Sequence, residues 1–288
     1  MKWGFICIFL FINCICHGQI TIALKDLSTG NQQTNLTKYL NAKKWNILFP
    51  HRYHIKKGNI SSDFYSFRSF LAAAKYFPSF LSDGNEQTQK KELAAFLANV
   101  AQETSGGWPE APGGYFKWGL YFAEEQNGKK YPYTDTTKIK ANYPPFPGKF
   151  YYGRGPKQLS WNYNYGQFSA AWFGDKDTLL QQPELLATDP VISFASAIWF
   201  WMTPQFPKPS CHNIITEKWR PNANDSTKGR MPGFGAIVNV INGGVECGNG
   251  KALEKTSFRY KYYQYFCKYF NVDPGENIDC DNQKPFGQ

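Results

Sequence analysis

Four stretches of the chain repeat apolar residues with the period of an α-helix, and long irregular stretches separate them. The helical stretches are 64–77, 89–104, 191–202 and 256–269, whereas Gly, Pro and aromatic residues dominate 106–160 and 203–235. Loops of this length inside a compact domain usually carry function. The pattern therefore predicts a mainly α fold with extended surface loops.

The composition narrows the class of protein before any motif is considered. Of the 288 residues, 42% are hydrophobic and 19% are charged, which is too apolar and too weakly charged for a disordered chain. The 25 glycines and 18 prolines follow no period, which argues against a collagen-like repeat. The 24 Phe, 18 Tyr and 9 Trp residues favour a protein that stacks on sugars or on nucleic-acid bases.

The positive charge bears on the choice between those two ligands. A formal net charge of +10 favours nucleic acid at first. The lysines, however, form scattered pairs and not one stripe, as Lys43-Lys44, Lys90-Lys91 and Lys129-Lys130 illustrate. We therefore expect no nucleic-acid partner, and interpret the charge as a general property of the surface.

The N-terminus has the pattern of a secretory signal. A short basic start precedes an apolar run over 4–16, and Cys16 and Gly18 are the small residues of a cleavage site. The run is too short for an ordinary membrane span, and an uncleaved anchor is the alternative. We expect a secreted monomer without a membrane partner, divided into a signal peptide over 1–18, an N-terminal extension over 19–44 and one globular domain over 45–288.

The cysteines agree with export. Removal of the signal would leave four of the seven, which are Cys211, Cys247, Cys267 and Cys280. Four cysteines allow three pairings, and the spacing leaves all three open. The sequence contains no CxxC pair and no Cys/His cluster with zinc spacing, so we expect neither a metal nor a cofactor.

The second predicted helix ends on a carboxylate in an unusual place. Phe96, Val100 and Glu103 fall at i, i+4 and i+7, so Glu103 extends the apolar stripe of the helix. Burial and the negative end of the helix dipole both disfavour a charged carboxylate there. We therefore expect Glu103 to hold a proton near neutral pH, as a general acid must. A glutamate that turns to solvent in the last turn is the alternative.

A second acidic pair, Glu124-Glu125, follows on a separate element among Trp118, Tyr121 and Phe122. Glycoside hydrolysis requires two carboxylates on separate elements, one protonated and one ionised. Two solvated acids before a glycine-containing turn are the alternative. The spacing by itself does not establish an enzyme.

The stretch YYGRGPKQLSWNYNYG at 151–166 combines aromatic rings, side-chain amides and a serine. Its glycines allow the backbone to approach a ligand closely. Stacking rings and amides are the usual equipment of a sugar groove, in which Ser160 could orient a water. A structural loop held by tyrosine hydrogen bonds is the alternative.

Four motifs occur along the chain in a characteristic order: FYSFRSF at 64–70, the loop at 151–166, IWFWMT at 198–203 and GFGAIVNVINGGVECG at 233–248. They resemble motifs of the plant-type chitinases of glycoside hydrolase family 19, whose loop reads Y-Y-G-R-G-P-x-Q-L-S-x-N-Y-N-Y-G. That family also ends a helix on H-E-T-[ST]-G-G. The resemblance runs from about residue 45 to residue 286, and makes the globular domain a catalytic domain.

The resemblance implies roles for the acidic and polar residues. Glu103 looks like the general acid, Glu125 like the general base, and Ser160 like the serine that helps Glu125 hold the attacking water. The family inverts the anomeric centre, which agrees with carboxylates ~6.5–9.5 Å apart. Glu246 and Arg259 resemble a charged network that supports the acid, where the arginine lowers the pKa of a nearby carboxyl group.

The resemblance also implies a substrate, chitin or chitooligosaccharides, and a lysozyme-like, two-lobed α-rich domain with a cleft. The residues at sugar-contact positions are Gln158, Tyr163, Asn164, Asn242, Lys208 and Tyr143, the last in place of a tryptophan. Trp118 and Trp161 are interpreted as cleft residues, and Phe67, Phe70, Trp199, Phe200 and Trp201 as core. Cys247 and Cys280 resemble the C-terminal disulfide of the family, whereas Cys211 and Cys267 stay undecided.

Departures from the family keep alternatives open. Gln102 stands where the histidine before the acid is usual, so we expect activity with an altered pH dependence. An active endochitinase is the first hypothesis. A chitin-binding protein without catalysis and a peptidoglycan hydrolase are the alternatives.

Overall fold

The computed structural model describes residues 34–54, 63–137, 141–248 and 254–287. The expected signal peptide over 1–18 lies outside these residues. Across the described ranges β-pairing is confined to three isolated bridges, and the chain is otherwise helix and loop. The α-helices of the described residues are α1 (Leu36–Tyr39), α2 (Ala42–Leu48), α3 (Phe67–Ala74), α4 (Glu86–Thr104), α5 (Asn162–Phe173), α6 (Thr178–Gln181), α7 (Leu185–Thr188), α8 (Pro190–Met202), α9 (Cys211–Ile215), α10 (Ala223–Thr227), α11 (Phe234–Glu246) and α12 (Glu254–Phe270).

The longest helix, α4, confirms the periodicity at 89–104 and begins three residues earlier. The side chain of Asn85 accepts a hydrogen bond from the backbone N–H of Thr88, which caps the first turn. Phe96 and Val100 are fully buried, and α4 packs along α12. The helix ends at Thr104, because Gly106 has a φ of 76° that an ordinary residue rarely adopts.

Helix α8 is the buried helix that its apolar sequence predicts. Asp189 accepts hydrogen bonds from the backbone N–H groups of Val191 and Ile192, and Pro190 occupies the first turn, where no intrahelical donor is needed. The helix packs on α3, α5 and α7. Trp199 and Trp201 are buried, as predicted for the core.

The other two predicted helices are also confirmed, with shifted ends. The prediction over 64–77 is longer than α3, and that over 256–269 is shorter than α12. Phe70 is fully buried and stacks on Phe96 with ring centroids 5.6 Å apart. Phe67 and Phe200, which were predicted to be core residues, are only partly buried.

The long irregular stretches differ from each other. Among the described residues of 106–160 the only helical pieces are the 3-10 turns Tyr115–Lys117 and Gly128–Lys130, so the loop prediction is confirmed there. The stretch 203–235 contains α9 and α10, which the sequence did not indicate. Helices α5 and α11 were also not predicted.

The core reaches into the segment that was expected to be an N-terminal extension. Leu36 and Leu40 are fully buried and belong to the same hydrophobic core as Trp45. In the described part of the chain, no helix combines the length and the apolar character that a membrane crossing requires.

The C-terminal loop is tied to α11 by a disulfide. Cys247 and Cys280 are bonded with an S–S distance of 2.01 Å, which confirms the pairing that the resemblance implies. Cys211 and Cys267 are free and buried, which settles the question that the sequence left open.

Candidate active site

One cavity of ≈ 580 Å³ brings both predicted acids together. Glu103 enters it from the last turn of α4, and Glu125 enters it from the loop after the 3-10 turn Tyr115–Lys117. The residues that line it are Glu103, Glu125, Tyr133, Gly153, Lys157, Gln158, Leu159, Ser160, Trp161, Tyr163, Asn164, Phe200, Gln205, Lys208, Ile241 and Asn242.

Two cations hold the carboxylate of Glu103. Lys157 Nζ donates to Glu103 Oε1 at 3.1 Å, and Arg259 Nη1 donates to the same oxygen at 2.9 Å. The side chain of Glu103 is 19% exposed, whereas Lys157 and Arg259 are buried. Both ion pairs are therefore largely shielded from solvent. Charges interact more strongly in such a buried environment than in water.

These contacts correct the expected protonation of Glu103. Burial alone would raise the pKa of Glu103, but the charges and hydrogen bonds of Lys157 and Arg259 outweigh it and lower the pKa below its ordinary value. The expectation that Glu103 holds a proton near neutral pH is therefore wrong for the free protein. The helix pattern indicates burial, but it contains no information on cations that approach from distant parts of the chain.

Arg259 on α12 links Glu103 to a second carboxylate. Its Nη2 donates to Glu246 Oε1 at 2.7 Å and its Nη1 also donates to Asn99 Oδ1 at 2.8 Å. Burial would lower the pKa of Arg259, but Glu103 and Glu246 outweigh it and raise the pKa. Asn242 Nδ2 donates to Glu246 Oε1 at 2.9 Å. The structure thus links Glu246 and Arg259 to Glu103, the contact that the resemblance implies.

Neutral groups hold the carboxylate of Glu125. The hydroxyl of Tyr133 donates to Glu125 Oε1 at 2.8 Å, and the backbone N–H of Gly153 donates to Oε2 at 3.2 Å. The backbone N–H of Glu125 in turn donates to the carbonyl of Gly153 at 2.8 Å. Burial, followed by the hydrogen bond to Glu125 and the charge of that carboxylate, raises the pKa of Tyr133 to about 12, so the phenol keeps its proton.

Backbone hydrogen bonds within the loop at 151–166 hold its conformation. Arg154 and Leu159 exchange backbone hydrogen bonds of 3.2 and 2.9 Å across a tight turn. Gly155 has a φ of 76°, and a Cβ there would lie 3.0 Å from Ser193 Oγ, so glycine suits both the conformation and the space. The hydroxyl of Ser160 donates to the carbonyl of Gln158 at 2.9 Å and faces the same cavity as Glu125.

Most of the predicted sugar contacts lie around the cavity. Gln158, Tyr163, Asn164, Asn242 and Lys208 line it, together with Trp161. Phe200 also lines it, which corrects its assignment to the core.

Two predicted contact residues lie elsewhere. The ring of Tyr143 packs so closely over Gly166 of α5 that a Cβ there would overlap it. Trp118 stacks on His51 with centroids 4.0 Å apart, and its indole N–H donates to the carbonyl of Pro112. Neither residue is among those that line the cavity, because local packing partners hold both rings.

Sequence reasoning missed three polar residues of the cavity, Lys157, Tyr133 and Gln205. Lys157 occupies the variable position of the loop motif, so the motif assigns it no role. The charge of the lysine inside an otherwise uncharged part of the loop was the signal that could have indicated it. Tyr133 and Gln205 lie in irregular stretches without periodicity. Among the described residues, no group of three or more His, Cys, Asp or Glu side chains is arranged to hold a metal ion.

Comparisons with known proteins decide the family. A family model described as chitinase class I, of glycoside hydrolase family 19, matches residues 42–280. The chain belongs to glycoside hydrolase family 19. Membership of this family places the chain among the glycosidases.

Several relatives of this family 19 chain are about half identical to it. Endochitinase A2 of Pisum sativum is 50% identical over 224 residues, which are 78% of this chain and 66% of the pea protein. The endochitinase of Carica papaya is 49% identical over 224 residues, which are 78% of this chain and 89% of the papaya protein. Inactive chitinase-like protein 1 of Hevea brasiliensis is 51% identical over 224 residues, which are 78% of this chain and 69% of the Hevea protein. Such identity therefore does not separate active from inactive members.

Solved structures agree on the fold. Chitinase C from Streptomyces griseus superposes with a TM-score of 0.64 at 31% identity, covering 84% of this chain and 97% of that one. A family 19, class IV chitinase from Zea mays gives 0.63 at 30% identity, covering 86% and 100%. The expected α-rich, lysozyme-like fold is confirmed.

Proposed function

We propose that this chain is an endochitinase that hydrolyses internal β-1,4 bonds of N-acetylglucosamine polymers with inversion. One observation carries the proposal: Glu103 and Glu125 reach a single cavity from separate elements and are held by different chemistry. Two cations contact Glu103, whereas a phenol and a backbone N–H contact Glu125. Relatives from pea and papaya that carry the name endochitinase support it.

Glu103 is the proposed general acid. Both cations contact its Oε1, so we assign Oε2 to proton transfer onto the leaving oxygen. Because the pKa of Glu103 is lowered, the acid form is populated only in acidic solution. We therefore expect kcat/KM to fall as the pH rises through the pKa of Glu103, and the enzyme to work best on the acidic side of neutrality.

Glu125 is the proposed general base. Tyr133 and the Gly153 N–H fix the plane of its carboxylate without adding a charge, so the group can accept a proton from the attacking water. Ser160 lines the same cavity, and its hydroxyl would hold that water from a second direction. Removal of the water proton by Glu125 and delivery of the Glu103 proton then accompany direct displacement at the anomeric carbon.

The cavity also offers groups that fit an N-acetyl substituent. Asn164 Oδ1 and Gln205 Nε2 are buried and have no hydrogen-bond partner within the described protein. An unpaired buried polar atom costs about 1–3 kcal/mol, which a ligand can offset. An acetamido group supplies one N–H donor and one carbonyl acceptor, the complement of this pair. The rings of Tyr163 and Trp161 line the same cavity and offer stacking faces.

Secretion is part of the proposal. The N-terminal signal pattern supports it, and so does the Cys247–Cys280 disulfide, since such bonds persist in oxidising compartments. The sequence contains three N-x-[ST] motifs for N-glycosylation. Asn224 of one motif is exposed, whereas Asn35 of another donates from Nδ2 to the carbonyl of Leu81. We therefore expect any glycan to be attached at Asn224 before Asn35; the third motif, at Asn59, lies outside the described residues.

A binding protein without catalysis is the second candidate, because the Hevea relative is named inactive at 51% identity. The presence of Glu103, Glu125 and Ser160 around one cavity favours the enzyme. A peptidoglycan hydrolase is the third, since that polymer also carries acetamido groups.

The test is product analysis on a chitin hexamer by proton NMR, with the Glu103→Gln protein as the blank. We expect shorter oligomers whose new reducing ends appear first as the α-anomer. A first product in the β-anomer would refute inversion. Binding of the hexamer without any product would establish the binding protein, and lysis of bacterial walls without action on the hexamer would establish the peptidoglycan hydrolase.

A further inference from the structure

Lys157 is placed by a turn whose backbone leaves little freedom. The paired hydrogen bonds between Arg154 and Leu159 close the turn, and Gln158 adopts a φ of 49° within it. The Nε2 and backbone N of Gln158 both donate to the carbonyl of Gly155, at 2.9 and 3.0 Å. The turn therefore directs the side chain of Lys157 toward Glu103 at the end of α4.

The side chain of Lys157 is a buried cation, with only 6% of its surface exposed. Its Nζ lies 3.1 Å from Glu103 Oε1 and 5.1 Å from the centre of the Phe200 ring. Burial of an ammonium group is costly unless a partner compensates for the loss of water. Burial accordingly lowers the pKa of Lys157, and the charge of Glu103 opposes that effect.

We propose that Lys157 is a positioning residue that sets the pH range of the reaction by controlling when Glu103 takes up its proton. The proposal rests on the proposed function, in which Glu103 is the general acid. The family loop leaves position 157 variable, so this role belongs to the present chain and not to the motif.

The balance of charges around Glu103 explains why Lys157 controls the protonation of that carboxylate. Arg259 on α12 divides its charge between Glu103 and Glu246 of α11, whereas Lys157 contacts Glu103. Two cations thus balance two carboxylates. Asn99 on α4 is neutral, and Cys211 on α9 is a neutral thiol, because burial raises its pKa to about 12. Removal of Lys157 would leave the cluster with one excess negative charge, which favours the protonated form of Glu103.

The direction of the effect on activity follows. A neighbouring cation lowers a carboxyl pKa by roughly 1–3 units, so Lys157→Met should move the alkaline limb of kcat/KM upward by about 1 pH unit or more. At a fixed pH on that limb, the protonated fraction rises about tenfold for each unit. At neutral pH the protonated fraction of Glu103 in the variant should therefore be about tenfold that of the wild type, and kcat/KM should rise by up to about tenfold. On the acidic plateau kcat should fall, because a weaker acid transfers its proton less readily.

The experiment compares complete pH profiles of kcat and kcat/KM on a chitin hexamer for the wild type and three variants. Lys157→Met removes the charge at similar volume, and Lys157→Arg retains it. Lys149→Met removes a surface lysine whose contact is the exposed Glu184, at 3.5 Å. We expect an upward shift of the alkaline limb for Lys157→Met alone. Limbs that coincide for Lys157→Met and the wild type would overturn the proposal.

A second measurement does not depend on turnover. Carbon-13 NMR of glutamate side-chain carboxyls, with Glu103 assigned by its loss in Glu103→Gln, gives the titration of Glu103 directly. Its midpoint should rise in Lys157→Met, or in Lys157→Gln if the first variant fails to fold. An unchanged midpoint would refute control by Lys157. If the wild type cleaves no oligomer, the proposed function fails, and this titration still decides the role of Lys157.

Discussion

The two sides of the cavity hold their carboxylates in opposite ways. On the side of the proposed general acid (the acid side), Glu103 belongs to a buried network of full charges with Lys157, Arg259 and Glu246. On the side of the proposed general base (the base side), Glu125 accepts hydrogen bonds from neutral donors of the loops, Tyr133 and Gly153. Two residues of one type, in one cavity, are thus held by different kinds of partner: buried charges contact one carboxylate, and neutral donors contact the other.

The acid side couples stability to activity in opposing directions. Because the pKa of Glu103 is lowered by folding, its ion pairs stabilise the protein above the pKa of an unfolded glutamate, about 4.3, and this contribution is lost as the pH falls through the folded pKa. The proposed reaction needs the protonated form. Conditions that activate the acid therefore remove part of the stabilisation that places it.

The largest expected effect separates the two carboxylates. Glu103→Gln should lower kcat on chitin oligomers by about 10²–10⁴-fold, because the leaving sugar then departs without a proton. The same variant should retain much more activity on an aryl glycoside whose phenolate leaves unaided. Glu125→Ala should fail on both substrates, and added azide should restore turnover as a glycosyl azide, since azide attacks without a base.

Kinetic measurements of both variants on the chitin oligomer and on the aryl glycoside test these two assignments. If azide restored Glu103→Gln and the aryl glycoside restored Glu125→Ala, the acid and base assignments would have to be exchanged. Binding of the hexamer by both variants, measured by calorimetry, shows that the loss lies in the chemical step.

The next effect concerns the stability of the acid side. Arg259 is buried between Glu103 and Glu246, so Arg259→Met leaves a buried carboxylate without its partner. Removal of one member of a buried ion pair costs about 3–5 kcal/mol in the free energy of unfolding. Urea denaturation of the variant against Lys149→Met measures it. A loss no greater than that of the surface control would show that the network contributes nothing to folding.

The third largest effect is expected from removal of the Cys247–Cys280 disulfide. Cys247 follows Glu246 directly, and Cys280 Sγ lies 3.8 Å from the carbonyl of Glu246, so the bond anchors the end of α11. Replacement of both cysteines by serine should lower the free energy of unfolding by about 2–4 kcal/mol. Thermal denaturation of the wild type with and without reductant gives an independent value. A melting temperature insensitive to both treatments would contradict this role.

The sequence predicts the helices that apolar periodicity encodes locally. The apolar stripe of α4 and the continuous apolar run of α8 are visible in the chain, whereas the caps Asn85 and Asp189 are identified only in the structure. Helix α11 was not predicted, because its glycines weaken the helical pattern and Asn242 interrupts its geometry with a φ of −145°. Local signals thus define α3, α4, α8 and α12, whereas the other described helices were not predicted.

The site residues could be predicted where a motif or the family resemblance assigns them a role. The loop motif and the helix end indicate Glu103, Ser160 and Asn164, and the structure brings all three to the cavity. The protonation of Glu103 could not be predicted, since it depends on Lys157 and Arg259, which are 54 and 156 residues away. Electrostatic partners that meet only in the folded chain leave no periodic trace in the sequence.

The smallest effect tests the base side alone. Tyr133→Phe removes one neutral donor from Glu125 and leaves Gly153 in place, so kcat should fall about tenfold, the lower end of what a hydrogen bond to a charged group contributes. The free energy of unfolding should change by less than about 1 kcal/mol, because the ring stays packed against Trp161, at 5.5 Å between centroids. The alkaline limb of kcat/KM should stay where the wild type has it, since the hydroxyl of Tyr133 donates to Glu125, which lies outside the Glu103 network. A pH profile in which Tyr133→Phe moved that limb as Lys157→Met does would mean that the two sides of the cavity titrate as one unit.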